Sequence, residues 1–334
     1  MKKIIKYIAI ALLAIVIFVF SFFFAGSYEP REDIRWGVNF SHKHAENLGL
    51  DWQETYLALF DDLRARRVKL ITQWNLLEPE DDRFDFEAID WQLERAEERG
   101  AEILFVVGMK TPRYPECHIP GWANDLEAGE RQGQVLEFLR AVVSRYKSSS
   151  AIRAWQVENE PLFPFGECPP ADGEFLKKEV ALVKEIDSSR PVVVTDTGEF
   201  SLWFEVAEIA DVVGTTLYRK IWFRELGIYV PYKIPAVFYG RKAWLVEKLY
   251  GKEVINVELQ AEPWGPKLLY DSPLEEQEKT MNLEKFRDVI DYAKRTGLPE
   301  FYFWGAEWWH WMKEIQGNDA VWETAKELFN DTIY

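Results

Sequence analysis

The chain has 334 residues, 48% hydrophobic and 29% charged, with 40 Lys+Arg against 56 Asp+Glu for a formal net charge of −16. That length suits one large α/β barrel or two ordinary domains. The acidity argues against nucleic acid as a partner, which needs a basic surface, and disfavours polyanionic substrates.

The N-terminus, "MKKIIKYIAIALLAIVIFVFSFFFAGS", places three lysines before an uncharged run from Tyr7 to Gly26. At about 1.5 Å rise per residue that run is one bilayer span. A secretory signal has a shorter apolar region, roughly 7–15 residues, so the segment reads as an uncleaved anchor. Ala25-Gly26-Ser27 is where cleavage would otherwise fit. The lysines are expected to stay cytoplasmic, which puts the rest outside as a single-pass membrane protein. The expected division is therefore 1–27 as anchor and 28–334 as one domain.

Beyond the anchor, short apolar runs alternate with amphipathic stretches. The predicted strands are 34–40, 68–74, 102–108, 152–158, 191–196, 211–218, 253–259 and 300–305. Most are nearly continuously apolar, as parallel strands buried on both faces should be. Helical spacing separates them: Trp52, Tyr56, Leu59 and Leu63; Ile89, Leu93 and Ala96 before Gly100; Val135, Leu139, Val142 and Tyr146; Leu176, Val180, Val183 and Ile186. A short helix is expected around 200–209 and another over 237–250, after a long connection from Arg219 to Ala236. Ser272-Pro273-Leu274-Glu275 predicts the start of a seventh helix through a capping box with Pro at the first helical position. Residues 318–330 supply the last. Eight β-then-α units are the pattern of a (β/α)8 TIM barrel. The first strand lacks the Gly-rich turn of a dinucleotide-binding open sheet.

Residues leaving the C-terminal ends of barrel strands build the active site. "IRAWQVENEP" ends the fourth strand in Glu158, Asn159 and Glu160, and "VINVELQ" brings Glu258 out of the seventh. Two carboxylates over one barrel mouth suit glycoside hydrolysis, which needs an acid for the leaving oxygen and a second carboxylate at the anomeric carbon. Glu158 competes with Glu160, and Glu262 with Glu258. Glu160 is preferred at the strand exit beside an amide, and Glu258 over a loop position.

These segments resemble the clan A glycoside hydrolases, the "4/7 superfamily" of retaining (β/α)8 enzymes, over essentially all of residues 34–310. "WQVENEP" is similar to the clan's Asn-Glu-Pro signature, which implies Glu160 as general acid/base and Asn159 as a ligand of the sugar 2-hydroxyl and the nucleophile. "VINVELQ" implies Glu258 as nucleophile. "DVVGTTLY" places Tyr218 where the clan often has a tyrosine on that nucleophile, and "FYFWG" places Trp304 as floor of the subsite for the reacting sugar. "WNLLEPEDDRFDFEAIDWQLERAEERG" and "TPRYPE" resemble the β-galactosidase-like and family 5-like branches. Strand two carries Lys69 where the clan often has arginine, and a planar fork is not a point charge. Strand three has Lys110 nearby rather than the histidine of many family 5 cellulases.

The implied activity is cleavage of β-linked, neutral oligo- or polysaccharides by double displacement, with no cofactor and no metal. A non-catalytic glycan-binding scaffold or a transglycosylase on the same fold are the alternatives. Trp264, Trp308, Trp309 and Trp311 follow strands seven and eight, and Trp264 is expected among the sugar contacts. Trp74 and Arg113 are expected at other loop mouths. His42-Lys43-His44 after strand one invites a metal-dependent amidohydrolase reading, which would need further histidines after strands five and six; His118 and His310 are not in those places. Cys117 and Cys168 follow strands three and four, whose loops are neighbours, and an exported chain can keep a disulfide between them. The other reading is two unrelated thiols.

Overall fold

The computed structural model describes residues 2–330. The last four residues of the expected 28–334 domain lie outside the described residues. Eight parallel strands close a barrel: β1 (Arg35–Phe40), β2 (Arg67–Ile71), β3 (Glu102–Val107), β4 (Ile152–Val157), β5 (Val192–Asp196), β6 (Val212–Leu217), β9 (Glu253–Gln260) and β10 (Glu300–Trp304). Two more strands, β7 (Lys220–Phe223) and β8 (Ile228–Pro231), pair with each other as an antiparallel hairpin after β6. Each barrel strand neighbours the next in sequence, the hairpin aside, and β1 closes the ring by pairing with β10 from Arg35↔Glu300 to Val38↔Phe303.

The alternation of strand side chains divides the core in two. Leu104, Ala154, Val193, Ile255, Val257 and Tyr302 pack together inside the barrel, with Ile71, Val106 and Trp304 as a separate layer. A larger shell fills the space between strands and helices; Phe105, for example, meets Trp155 and Tyr146. Such double coverage is why the strands read as continuous apolar runs. The N-terminal end of the barrel is sealed by buried Glu300, which pairs with Arg35 at 2.8 Å and with Arg153.

One expectation about elements needs correction, and two elements were not predicted. The seventh helix does not begin at Ser272. One turn, Leu274–Gln277, is followed by the main helix Leu283–Lys294, capped by Asn282, whose side chain accepts from the Lys285 amide. Ser272 Oγ instead donates to the Leu268 carbonyl at 3.1 Å, so the capping-box residue is spent on its own turn. The long 219–236 connection contains the β7–β8 hairpin, turned at Gly227 with φ 62. A further helix, Ala306–Glu314, carries the tryptophan cluster after β10.

The N-terminal helix runs Lys2–Phe24, and Lys3–Phe24 is long and apolar enough to cross a membrane. Its last turn rests on the helix Val237–Tyr250: Phe22 meets Trp244 at 5.8 Å, and Phe24 meets Phe238 at 5.3 Å. Cys117 and Cys168 are joined by a disulfide, Cα–Cα 5.2 Å, tying the loop after β3 to the loop after β4.

Candidate active site

The exit of β4 is built around two glutamates in an unusual backbone conformation. Glu158 has φ 58 and Glu160 has φ 42, a left-handed region that costs a bulky residue about 1–3 kcal/mol. Local hydrogen bonds hold the turn. The Glu158 carboxylate accepts from the amides of Met109 at 2.7 Å and Lys110 at 2.6 Å. The Asn159 amide donates to the Lys110 carbonyl at 2.7 Å, and the Glu160 amide to Thr195 Oγ1 at 2.7 Å. Lys110 Nζ donates to the carbonyls of Glu160, at 2.9 Å, and Phe163, at 2.7 Å. Gly108 makes room for this, since a Cβ there would come within 2.5 Å of Glu158 Oε1. Glu158 is thus engaged by two backbone amides and by the buried Glu179 carboxyl, and Glu160 is the carboxyl left to face the mouth, accepting from Thr216 Oγ1 at 2.9 Å.

Glu258 arrives by a different device. Strand β9 carries one extra residue: Asn256 pairs with Thr215, but Glu258 pairs with Thr216, leaving Val257 between them. Strict alternation would send Glu258 to the face opposite Val257, which packs inside the barrel. A bulge re-aims the next side chain. Glu258 consequently sits inside the barrel's mouth, where Lys69 Nζ donates to Oε1 at 2.8 Å and Tyr218 OH to Oε2 at 2.8 Å. Thr216 hydrogen-bonds the Glu160 carboxyl and is the backbone register partner of Glu258, so both glutamates flank the same point of β6.

Burial and neighbouring charge act strongly on Glu160. Burial pushes the Glu160 carboxyl well above the usual range, and the nearby charges of Glu258 and Glu116 push it further. Burial lowers Lys69, opposed by the attraction of Glu258. Burial raises Tyr218, reinforced by Glu258, so it is a hydrogen-bond donor at neutral pH.

Glu116 is the functional residue that sequence reasoning missed. It is buried, accepts from Asn159 Nδ2 at 3.1 Å, and is pushed up to about 8 by burial and then by the charge of Glu258. The one signal for it in the sequence is its position between Pro115 and Cys117, in the loop that the disulfide ties to the strand-four exit. Asn159, occupied by Glu116, makes no hydrogen bond to Glu258.

The other expected contacts divide. Trp304 lies in the inward layer, and the Arg113 guanidinium covers its ring at 3.9 Å. Trp264 stands edge-on to Tyr218 at 5.1 Å, the tyrosine that donates to Glu258. Trp74 is not at the mouth. It is fully buried between Trp122 and Phe138, with Nε1 donating to Glu78 at 2.7 Å, because its short helix Trp74–Leu77 turns the ring into the outer shell. Trp308 and Trp309 are also buried, their indole nitrogens spent on Gln277 and the Ala261 carbonyl. His42 packs on Trp52, and His44 Nε2 lies 3.5 Å from Glu262.

No family model matches the chain, and no curated protein matches it in sequence. Solved structures do share its fold. Xylanase 10B from Thermotoga petrophila RKU-1, in complex with xylobiose, superposes with a TM-score of 0.56 at 17% identity, over 90% of this chain and 94% of that one. A β-galactosidase from the Antarctic haloarchaeon Halorubrum lacusprofundi gives 0.57 at 15%, over 89% of this chain and 58% of that one. A GH5_18 protein from Streptomyces cattleya, in complex with GlcNAc, gives 0.56 at 15%, over 83% and 71%. At these identities the likeness establishes the (β/α)8 fold.

Proposed function

We propose that the chain is a retaining glycoside hydrolase acting on β-linked, neutral sugars. The observation that carries this reading is a pair of carboxyls at one barrel mouth, near enough for the charge of one to act on the other: Glu160, buried and pushed toward its protonated form, and Glu258, held by Lys69 and Tyr218. A buried carboxyl kept toward its protonated form beside a second carboxyl held by two donors suits the acid and nucleophile roles of such enzymes. That the fold's neighbours include xylanases and β-galactosidases supports the same reading.

In the first step the Glu160 proton passes to the glycosidic oxygen as the C1–O bond breaks. A Glu258 carboxylate oxygen bonds to C1 from the opposite face and forms a glycosyl ester. In the second step Glu160, now a carboxylate, takes a proton from water, whose oxygen displaces Glu258 from C1. Tyr218 and Lys69 position the attacking carboxylate, Trp264 borders the sugar, and Trp304, under the Arg113 guanidinium, bounds its far side. Asn159 reaches a sugar hydroxyl only together with Glu116, to which it is bonded.

The N-terminal helix serves in this reading as an uncleaved anchor, lysines cytoplasmic, with the 28–334 domain outside the cytoplasm. The apolar length of the helix and a disulfide on the rim support it. The functional test is a panel of aryl β-glycosides with NMR detection of the first product anomer. Net retention is expected, and inversion would refute the double displacement. Glu258→Gln should lower turnover on the order of 10³-fold or more.

A further inference from the structure

One charged side chain crosses the mouth of the barrel. Arg113 leaves the loop after β3 with φ 93 and reaches the far rim. Its guanidinium pairs with Glu262, beyond β9, and with Glu307 at 3.4 Å, beyond β10, while lying on Trp304. The bridge continues toward β1, where His44 Nε2 is 3.5 Å from Glu262 and the Ser41 amide donates to Glu307 at 2.7 Å. Glu262 and Glu307 are buried. Burial raises the Glu262 carboxyl, but the Arg113 charge outweighs it and holds it at about 2. The arm is braced: the Glu116 amide donates to the Arg113 carbonyl at 2.7 Å, the Thr111 amide to the Glu116 carbonyl at 2.9 Å, and Cys117 is tied to Cys168.

The surroundings of Glu160 differ. Phe163 stacks on Phe200 at 5.9 Å, Phe200 meets Tyr232 edge-on at 5.8 Å, and Phe200 is 64% exposed. The acid delivers its proton to the leaving oxygen, so the leaving group departs on Glu160's side and the rest of the glycone extends away from it, past Glu258. Around the ring from β4, which bears Glu160, the rim past Glu258 on β9 is that of β10, where Arg113 meets Glu262, Glu307 and Trp304. A second glycone sugar would have to lift Arg113 off Trp304. Its neutral hydroxyls would then replace a cation between two buried carboxylates, which are costly to leave unpaired.

We infer that the pocket ends one sugar beyond the cleaved bond, with Arg113 as the strut that closes it. The enzyme therefore removes single terminal sugars, the leaving group lying along the Phe163–Phe200–Tyr232 side. The inference rests on the hydrolase reading above and adds the mode of attack.

The test uses the full chain in detergent micelles with paired 4-methylumbelliferyl β-glycosides, one-sugar and two-sugar, of xylose, glucose, galactose and mannose. Released sugars are identified by mass at initial rate. Monosaccharide is the expected first product of both members of a pair, with fluorophore appearing from the two-sugar compound only after a lag. Intact disaccharide as the main first product would overturn the inference and leave the hydrolase reading standing. No turnover on any compound would overturn that reading and the inference with it. Arg113→Ala should raise direct disaccharide release at least roughly tenfold over wild type. The wild-type product decides the question if that variant does not fold. Phe200→Ala should raise KM for the aryl glycosides several-fold with kcat nearly unchanged.

Discussion

At the scale of single residues, the site works by giving chemically identical side chains different surroundings. Glu158, Glu160, Glu116, Glu258 and Glu262 are all buried glutamates around one barrel mouth. Glu158 is absorbed by two backbone amides and Glu262 by Arg113, whereas Glu160 is left protonatable. In the proposed mechanism Glu160 enters the reaction protonated, so kcat/KM should fall as pH rises through a pKa well above that of an ordinary glutamate, a limb that Glu160→Gln removes together with most activity toward poor leaving groups. Glu116 adds to that shift, after burial and the charge of Glu258. As it ionises near pH 8, its charge further raises Glu160. Glu116→Gln should therefore move the alkaline limb to lower pH, which a pH–rate profile will show. The same residue gives a stability test. Its folded pKa is raised from 4.5 to about 8, so its stabilising contribution is complete below about pH 4.5 and is lost as pH rises to about 8. Wild type should lose thermal stability relative to Glu116→Gln across that interval; a constant difference in melting temperature would contradict the assignment. Tyr218→Phe removes one donor from a charged group, worth about 1.5–3 kcal/mol, and should lower kcat about 10- to 100-fold.

Elements aim these side chains. The bulge in β9 turns Glu258 into the mouth, and the left-handed exit of β4 does the same for Glu160. Gly108 is the hinge of the second device, because any Cβ there meets the Glu158 carboxylate. Gly108→Ala should lower both melting temperature and kcat, while a variant with normal kcat would show that the turn does not position Glu160. The Cys117–Cys168 bond clamps the Glu116 and Arg113 loop to the acid-bearing loop. Its removal in Cys117→Ser/Cys168→Ser is expected to cost about 2–4 kcal/mol of stability, read as a lower denaturation midpoint. The eight barrel strands were legible in the sequence because parallel strands covered on both faces leave continuous apolar runs. Glu160 and Glu258 were legible because they terminate two of those runs. The bulge was not, since one extra residue in an apolar strand leaves the composition unchanged. The direction of Trp74 is not legible, because a residue just past a strand end can turn to either face, and its short helix sends it outward. The hairpin did leave a trace, with Ile221 opposite Val230 and Phe223 opposite Ile228 around Gly227, but its alternation is short and interrupted by charge.

For the whole molecule, a barrel sealed at one end by Glu300, Arg35 and Arg153 presents its chemistry at the other. The N-terminal helix packs its last turn on the Val237–Tyr250 helix, so the expected anchor and the barrel meet directly. The full chain should stay with membranes through alkaline carbonate extraction. A mature N-terminus at Gly26 or Ser27 would show instead that the segment is a cleaved signal. The double displacement is tested most directly by trapping its covalent intermediate. Full-length enzyme is treated with a panel of 2-deoxy-2-fluoro-glycosyl fluorides and mapped by peptide mass spectrometry. A single glycosyl adduct, assigned to Glu258 by fragmentation of the peptide that carries both Glu258 and Glu262, is the expected result. An adduct on Glu262 or Glu160, or inhibition-free turnover with no adduct on any peptide, would contradict it.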